Sequence, residues 1–170
     1  MAADRIHRVG IGTDLHRLAA GGSLRLGGVD IPFDRRLEGH SDADVVLHAV
    51  IDALCGAAGL PDIGEHFPDD DLKYAGCDSG TLLSTVVEEI ARLGYAVVNV
   101  DVVIHAERPK LSPHKEAMRE SIAALVRTQA DRVSVKAKTN EGLDAVGRGE
   151  AIACTAIVGL SRREVQETIS

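Results

Sequence analysis

Five side chains of metal-binding type fall in three short stretches: Asp14 and His16, His40 and His48, and Glu141. Two histidines with one carboxylate are a common catalytic zinc set, because three protein ligands leave the fourth tetrahedral position for substrate. Asp14 and His16 stand two apart, so on extended backbone they point the same way. His48 lies four residues after Asp44 and four before Asp52, which puts all three on one side of a helix. Asp44 and Asp52 are therefore candidates to orient His48 and fix its tautomer. Glu141 sits beside Thr139 and Asn140, an oxygen-rich setting that suits Mg²⁺ or Mn²⁺ shared with phosphates. Spacing alone leaves the plain reading open: a turn Asp, a surface His and a satisfied helix His. No Ser–His–Asp or Cys–His nucleophile arrangement stands out.

These residues need elements to carry them. The spacing predicts a strand over Arg5 to Gly12, ending in Gly10-Ile11-Gly12-Thr13-Asp14-Leu15-His16, with Asp14 and His16 at its end. Gly27-Gly28 between Leu24–Leu26 and Val29–Phe33 predicts a hairpin. A first helix is expected from about Ser41 to Ala58, with Ser41 as its N-cap, Asp44 completing a capping box, and Gly59 and Pro61 beyond its end. A turn-rich loop runs from Leu60 to Asp71. A second helix is capped by Asp78 or Ser79 and stops at Gly94. Tyr95 to Ala106 is a β-branched strand. A third helix is expected to start at Ser112-Pro113 and run to about Gln129. A strand over Arg132 to Thr139, a Gly-rich loop and a last strand over Ala151 to Leu160 complete the chain. That last run is almost entirely apolar and reads as buried on both faces. Together these predict one α+β domain over residues 1–170, with helices packed on one face of a mixed sheet.

Composition narrows the function. The chain has 170 residues and a net charge of −7, which disfavours a partner held through a phosphate backbone. Aromatic residues are 2% of the chain and Trp is absent, so no platform for stacking bases is expected. Cys55, Cys77 and Cys154 are odd in number and far apart, which fits buried thiols in a reducing compartment. No apolar run has membrane-spanning length and no signal-type segment leads the chain, so the cytoplasm is expected, with no membrane partner.

Five ordered blocks carry a family resemblance: Gly10 to His16; Gly39-His40-Ser41-Asp42-Ala43-Asp44 through His48; Asp62-Ile63-Gly64 with Phe67-Pro68-Asp69; Pro109-Lys110 with Pro113-His114; and Lys136 to Gly142 with Gly147-Arg148-Gly149-Glu150. The chain resembles the 2-C-methyl-D-erythritol 2,4-cyclodiphosphate synthases of the non-mevalonate isoprenoid pathway. It departs from many members at Thr13, where they carry an aromatic, and from some at Ala145, where they carry Phe. The resemblance implies a phosphorus–oxygen lyase that turns 4-diphosphocytidyl-2-C-methyl-D-erythritol 2-phosphate into the cyclic diphosphate and CMP. It implies zinc on Asp14, His16 and His48, and a second divalent ion, Mg²⁺ or Mn²⁺, on Glu141. It implies a homotrimer with active sites between neighbouring subunits. His40 and Ser41 would lie by the 2-phosphate. Asp62, Ile63, Gly64, Phe67 and Asp69 would line the loop around the methylerythritol hydroxyls. Ala106, Pro109, Lys110, Leu111 and Ser112, with Lys138 and Thr139, would surround the cytidine diphosphate. Asn140, Glu141 and Arg148 join the substrate contacts, Arg148 facing either a phosphate or Glu150. His40, Lys138 and Thr139 would act on the reacting phosphates. Two rival readings are a metal-dependent phosphohydrolase that activates water with the same ligands and a non-catalytic trimeric assembly protein.

Overall fold

The computed structural model describes residues 8–68, 70–74 and 76–162. Strands β1 (Arg8–Ala20), β4 (Arg35–Leu37), β5 (Tyr95–His105), β6 (Val133–Lys138) and β7 (Ala151–Arg162) form one sheet in the order β4-β1-β7-β5-β6. Only the β5–β6 pair is parallel, so the sheet is mixed. Strands β2 (Leu24–Leu26) and β3 (Val29–Ile31) make a separate hairpin about Gly27-Gly28. Helices α1 (Val45–Ala58), α3 (Ser79–Arg92) and α4 (Lys115–Leu125) cover one sheet face. Single helical turns α2 (Ile63–His66) and α5 (Asp144–Gly147) lie in the loops that the sequence marked as turn-rich.

Helix α1 is apolar on nearly all sides, which is why it sits in the centre of the core against β1 and β7. Its approach to β1 is set by glycine. A Cβ at Gly10 would lie 1.9 Å from the Ala53 carbonyl oxygen, and one at Gly12 would lie 2.2 Å from that of Ala49. Backbone meets backbone here, so any side chain would force the helix off the sheet.

Several expectations shift. Strand β1 extends to Ala20, so Asp14 and His16 are mid-strand, opposite Cys154 and Ile152 of β7. Helix α1 begins at Val45, and its N-cap is Asp44, not Ser41. The Asp44 carboxylate is fully buried and accepts from the N–H groups of Val46 (3.1 Å), Leu47 (3.1 Å), Gly27 (2.8 Å) and Gly28 (2.7 Å). It thus ties the hairpin turn to the helix start, a long-range demand that no local capping pattern reveals. Ser112-Pro113-His114 form a 3₁₀ turn ahead of α4 with no side-chain cap, and α4 stops at Leu125. Strand β7 is buried or half-buried along nearly all its length, as expected, with a gap at one position of its second face. Its Ile157 is exposed, as are Val9, Ile11 and Leu15 beside it on β1, so the second face of the sheet is apolar and open in the single chain.

Cys55 and Cys154 are buried and Cys77 is half-buried, all as free thiols. Among the described residues no helix is long and apolar enough to cross a membrane.

Removing the Asp44 carboxylate leaves buried N–H groups of both the helix start and the hairpin turn without an acceptor. Asp44→Ala is expected to cost about 2–4 kcal/mol. Urea unfolding with an unchanged slope would measure it, and a loss confined to a few tenths of a kcal/mol would contradict the role.

Candidate active site

Gly10, Gly12, Asp14 and His16 occupy alternate positions of β1, so all four face α1. The two glycines admit the helix; the next two positions meet it where His48 projects. The three ligand atoms converge. His16 Nε2 lies 2.9 Å from Asp14 Oδ2, His48 Nδ1 lies 3.0 Å from the same oxygen, and the two nitrogens are 3.1 Å apart. Ligand atoms at zinc-like bond lengths and tetrahedral angles stand roughly 3.3 Å apart, close to these separations.

The tautomers follow from the outer partners. His16 Nδ1 lies 2.8 Å from the Glu38 carbonyl, which can only accept, so Nδ1 carries the proton and Nε2 presents a lone pair inward. His48 Nε2 lies 2.8 Å from Ser79 Oγ and 3.0 Å from Ser41 Oγ, which leaves Nδ1 as the inward lone pair. Two nitrogen lone pairs and a carboxylate oxygen therefore point at one another. Three acceptors at this spacing need a cation, either a proton or a metal ion. Titration of the metal-free cluster reflects the same demand. Burial would raise the Asp14 carboxyl, but hydrogen bonds and charge from His16 and His48 outweigh it and hold it well below the usual carboxylate range. Burial would lower His16, but the Asp14 carboxylate beside it raises it instead. Asp14, His16 and His48 thus fit a bound divalent metal ion, and no other described group of three or more His, Cys, Asp or Glu converges this way.

Asp44 and Asp52 do not orient His48 as the helical spacing suggested. Asp44 is committed to the four N–H groups above, and Asp52 Oδ1 accepts from the Ile63 N–H at 2.9 Å, holding α2. The partner of His48 is instead Ser79, the first residue of α3. Its signal in the sequence was only that of a helix cap.

Asp14, His16 and His48, with His40, Ser41, Ile63, Gly64 and Phe67, line one cavity of about 220 Å³. Tyr74 and Leu82 complete its apolar wall and were not foreseen. Asp62 is not among its lining residues; it caps α2, accepting from the Glu65 N–H. Asp69 lies outside the described residues. Ala106, Glu107, Arg108, Pro109, Lys110, Leu111, Ser112, Lys138 and Thr139 line a second cleft of about 570 Å³, with Phe33 and Ala137 as additions. The two cavities share no lining residue. Near the second, Thr139 Oγ1 donates to Glu141 at 3.1 Å, and the Asn140 side chain bridges His105 and Asp144. Arg148 makes a two-pronged ion pair with Glu150 at 3.0 and 3.1 Å, one of its two expected roles.

Comparison with known proteins identifies the family. The YgbB family pattern matches residues 7–161. The chain is 53% identical over 156 residues to the 2-C-methyl-D-erythritol 2,4-cyclodiphosphate synthase of Laribacter hongkongensis, covering 92% of this chain and 96% of that protein. It is 54% identical over 155 residues to the enzyme of the same name from Bordetella petrii, covering 91% and 96%. The solved IspF–CDP complex of Plasmodium falciparum superposes with a TM-score of 0.82 at 31% identity, covering 96% of this chain and all of that one.

The raised His16 and a metal ion compete for one nitrogen. The stabilisation from protonated His16 is complete below the ordinary histidine value near 6.5 and is lost as pH rises through the higher folded value. Metal affinity has the opposite sign, because the nitrogen must be free of its proton. As pH rises above about 6.5, the thermal midpoint of chelator-treated protein should fall while the increment gained on adding Zn²⁺ grows. Parallel pH profiles with and without metal would contradict the shared site.

On its sequence and its fold, the chain belongs to the YgbB family, that of the 2-C-methyl-D-erythritol 2,4-cyclodiphosphate synthases.

Proposed function

We propose that the chain converts 4-diphosphocytidyl-2-C-methyl-D-erythritol 2-phosphate into 2-C-methyl-D-erythritol 2,4-cyclodiphosphate and CMP, acting as a phosphorus–oxygen lyase. The observation that carries the reading is the convergence of Asp14, His16 and His48 beside the His40-Ser41 turn, in a chain whose curated relatives are named for this synthesis. A water-activating phosphohydrolase finds no support among those relatives.

In the reaction, an oxygen of the 2-phosphate bonds to the β-phosphorus, and the bond from that phosphorus to the bridging oxygen breaks. CMP leaves with the bridging oxygen and its electron pair. The attacking phosphate is ionised near neutral pH, so the chain needs no general base. Its residues have to hold two anions close and in line. Well-oriented intramolecular reactions gain on the order of 7–11 kcal/mol from such positioning. A divalent ion held by Asp14, His16 and His48, zinc in this proposal, supplies charge neutralisation and orientation. Glu141 would hold a second divalent ion, Mg²⁺ or Mn²⁺, whose charge would offset that of the diphosphate. His40 and Ser41 flank the attacking phosphate. Asp62, Ile63, Gly64, Phe67 and Asp69 hold the methylerythritol part. The solved relative that binds CDP supports placing the cytidine diphosphate in the cleft of Ala106, Pro109, Lys110, Leu111, Ser112 and Thr139. There Lys138 adds positive charge, Thr139 turns its hydroxyl from Glu141 to a phosphate, and Asn140 shapes the turn. Arg148 stays with Glu150 at the rim.

One substrate must reach both cavities, and these share no lining residue. Three copies packed through the open face of Val9, Ile11, Leu15 and Ile157 would set one copy's metal cavity against a neighbour's nucleotide cleft. Burying that apolar face is what drives the assembly.

With the cytidine-diphosphate substrate and Mg²⁺, phosphorus NMR should show the cyclic diphosphate and CMP; inorganic phosphate without a cyclic product would overturn the assignment. His48→Ala should abolish turnover and remove stoichiometric zinc while sedimentation still gives a trimer. Ile11→Glu, on the open face and away from every ligand, should instead yield monomers with little activity, and an active monomer would refute the shared site.

A further inference from the structure

Beyond its metal-ligand nitrogen, His48 leads into a chain of polar groups. Its Nε2 lies 2.8 Å from Ser79 Oγ, and Ser79 is fully buried. The Ser79 hydroxyl donates in turn to Asp42 Oδ1 in a short contact. The Ser79 backbone N–H donates to Asp42 Oδ2 at 3.2 Å, so one carboxylate holds both donors of this serine. Asp42 is itself fixed, since its Oδ1 accepts from the Asp44 N–H and its own N–H donates to the Cys77 carbonyl. Arg25 places Nε 3.4 Å from Asp42 Oδ2 and also pairs with Asp30 and Asp78.

The direction of each proton follows. The carboxylate can only accept, so the Ser79 proton is committed to Asp42. The Ser79 lone pair must then accept from His48, which fixes the proton on Nε2 and leaves Nδ1 bare toward Asp14 and His16. Ser41 Oγ is also within 3.0 Å of His48 Nε2 and 3.4 Å of Ser79 Oγ; it accepts from the Ala43 N–H at 3.2 Å and lines the cavity. Ser79 is the nearer partner of His48 and the one whose own proton is held by a carboxylate.

We propose that Asp42 and Ser79 are positioning residues for the metal site: a carboxylate–serine–histidine relay, anchored by Arg25, that locks His48 as an Nδ1 ligand. Where a metal-bound histidine commonly donates straight to a carboxylate or carbonyl, here a buried serine at a helix start stands between. The relay joins three parts of the fold, the β2 hairpin, the turn before α1 and the start of α3, so metal affinity depends on their alignment. The inference rests on Asp14, His16 and His48 holding a metal ion.

The test compares full-length wild type, Ser79→Ala and Asp42→Asn. Zn²⁺ affinity is read by competition with a chromophoric chelator, folding by the thermal midpoint of the metal-free protein, and the His48 tautomer by ¹⁵N shifts of its ring. Ser79→Ala should weaken zinc binding by roughly 10–100-fold and mix the two tautomers of His48. Asp42→Asn keeps an acceptor for the serine and should lose less affinity while keeping the tautomer. If Ser79→Ala does not fold, Asp42→Asn decides alone, by a measurable loss of affinity. Wild-type zinc affinity and an unmixed tautomer in a variant would overturn the relay. So would a lowered metal-free midpoint with undiminished zinc affinity, which marks a purely structural role. A wild-type chain that takes up no stoichiometric zinc would instead refute the metal site itself.

Discussion

The structure depends on the contact of α1 with β1 at Gly10 and Gly12. Both positions bring helix carbonyls to where a side chain would begin. That closeness brings His48 within 3.0–3.1 Å of the two ligand atoms on the strand. A bulkier residue at either position would lift the helix and open the cluster, whatever the ligands' own identities. The motif Gly10-x-Gly12-x-Asp14-x-His16 is therefore a packing instruction and a ligand set written on one strand face.

The second constraint is electrostatic. Three acceptors converge in a partly buried site of a chain with net charge −7. The outer partners, the Glu38 carbonyl on His16 and Ser79 on His48, take both outward protons and leave the interior bare. Without a metal ion, burial would lower His16 but the Asp14 carboxylate raises it, so a proton on that ring offsets part of the convergence. Binding a divalent cation turns the same arrangement into an attractive one. A bound ion would offer positive charge to phosphates that the chain's own acidic balance would repel.

Much of this was legible in the sequence. The Gly27-Gly28 hairpin, the α3 cap at Asp78 and the strands β5 and β6 follow from local signals, and the structure has them. The converging trio Asp14, His16 and His48 was legible as residue types of metal-binding kind, and the family resemblance joined them. What the sequence hid is long-range. Asp44 looked like half of a capping box with Ser41, but it is itself the cap and also serves two N–H groups of a distant turn. Ser79 looked like a possible cap, whereas its hydroxyl bridges His48 and Asp42 across the fold. The apolar run of β7 implied burial on both faces, and the strand is buried or half-buried except at Ile157 and its last residue. Ile157 belongs to a surface that this chain alone does not fill.

The most direct measurement is a crystal structure of the zinc-loaded protein with anomalous data at the zinc edge. The account predicts one tetrahedral ion roughly 2.0–2.2 Å from Asp14 Oδ2, His16 Nε2 and His48 Nδ1, with its fourth position turned to the His40-Ser41 cavity. An ion bound elsewhere, or His48 coordinating through Nε2 with Ser79 displaced, would contradict it.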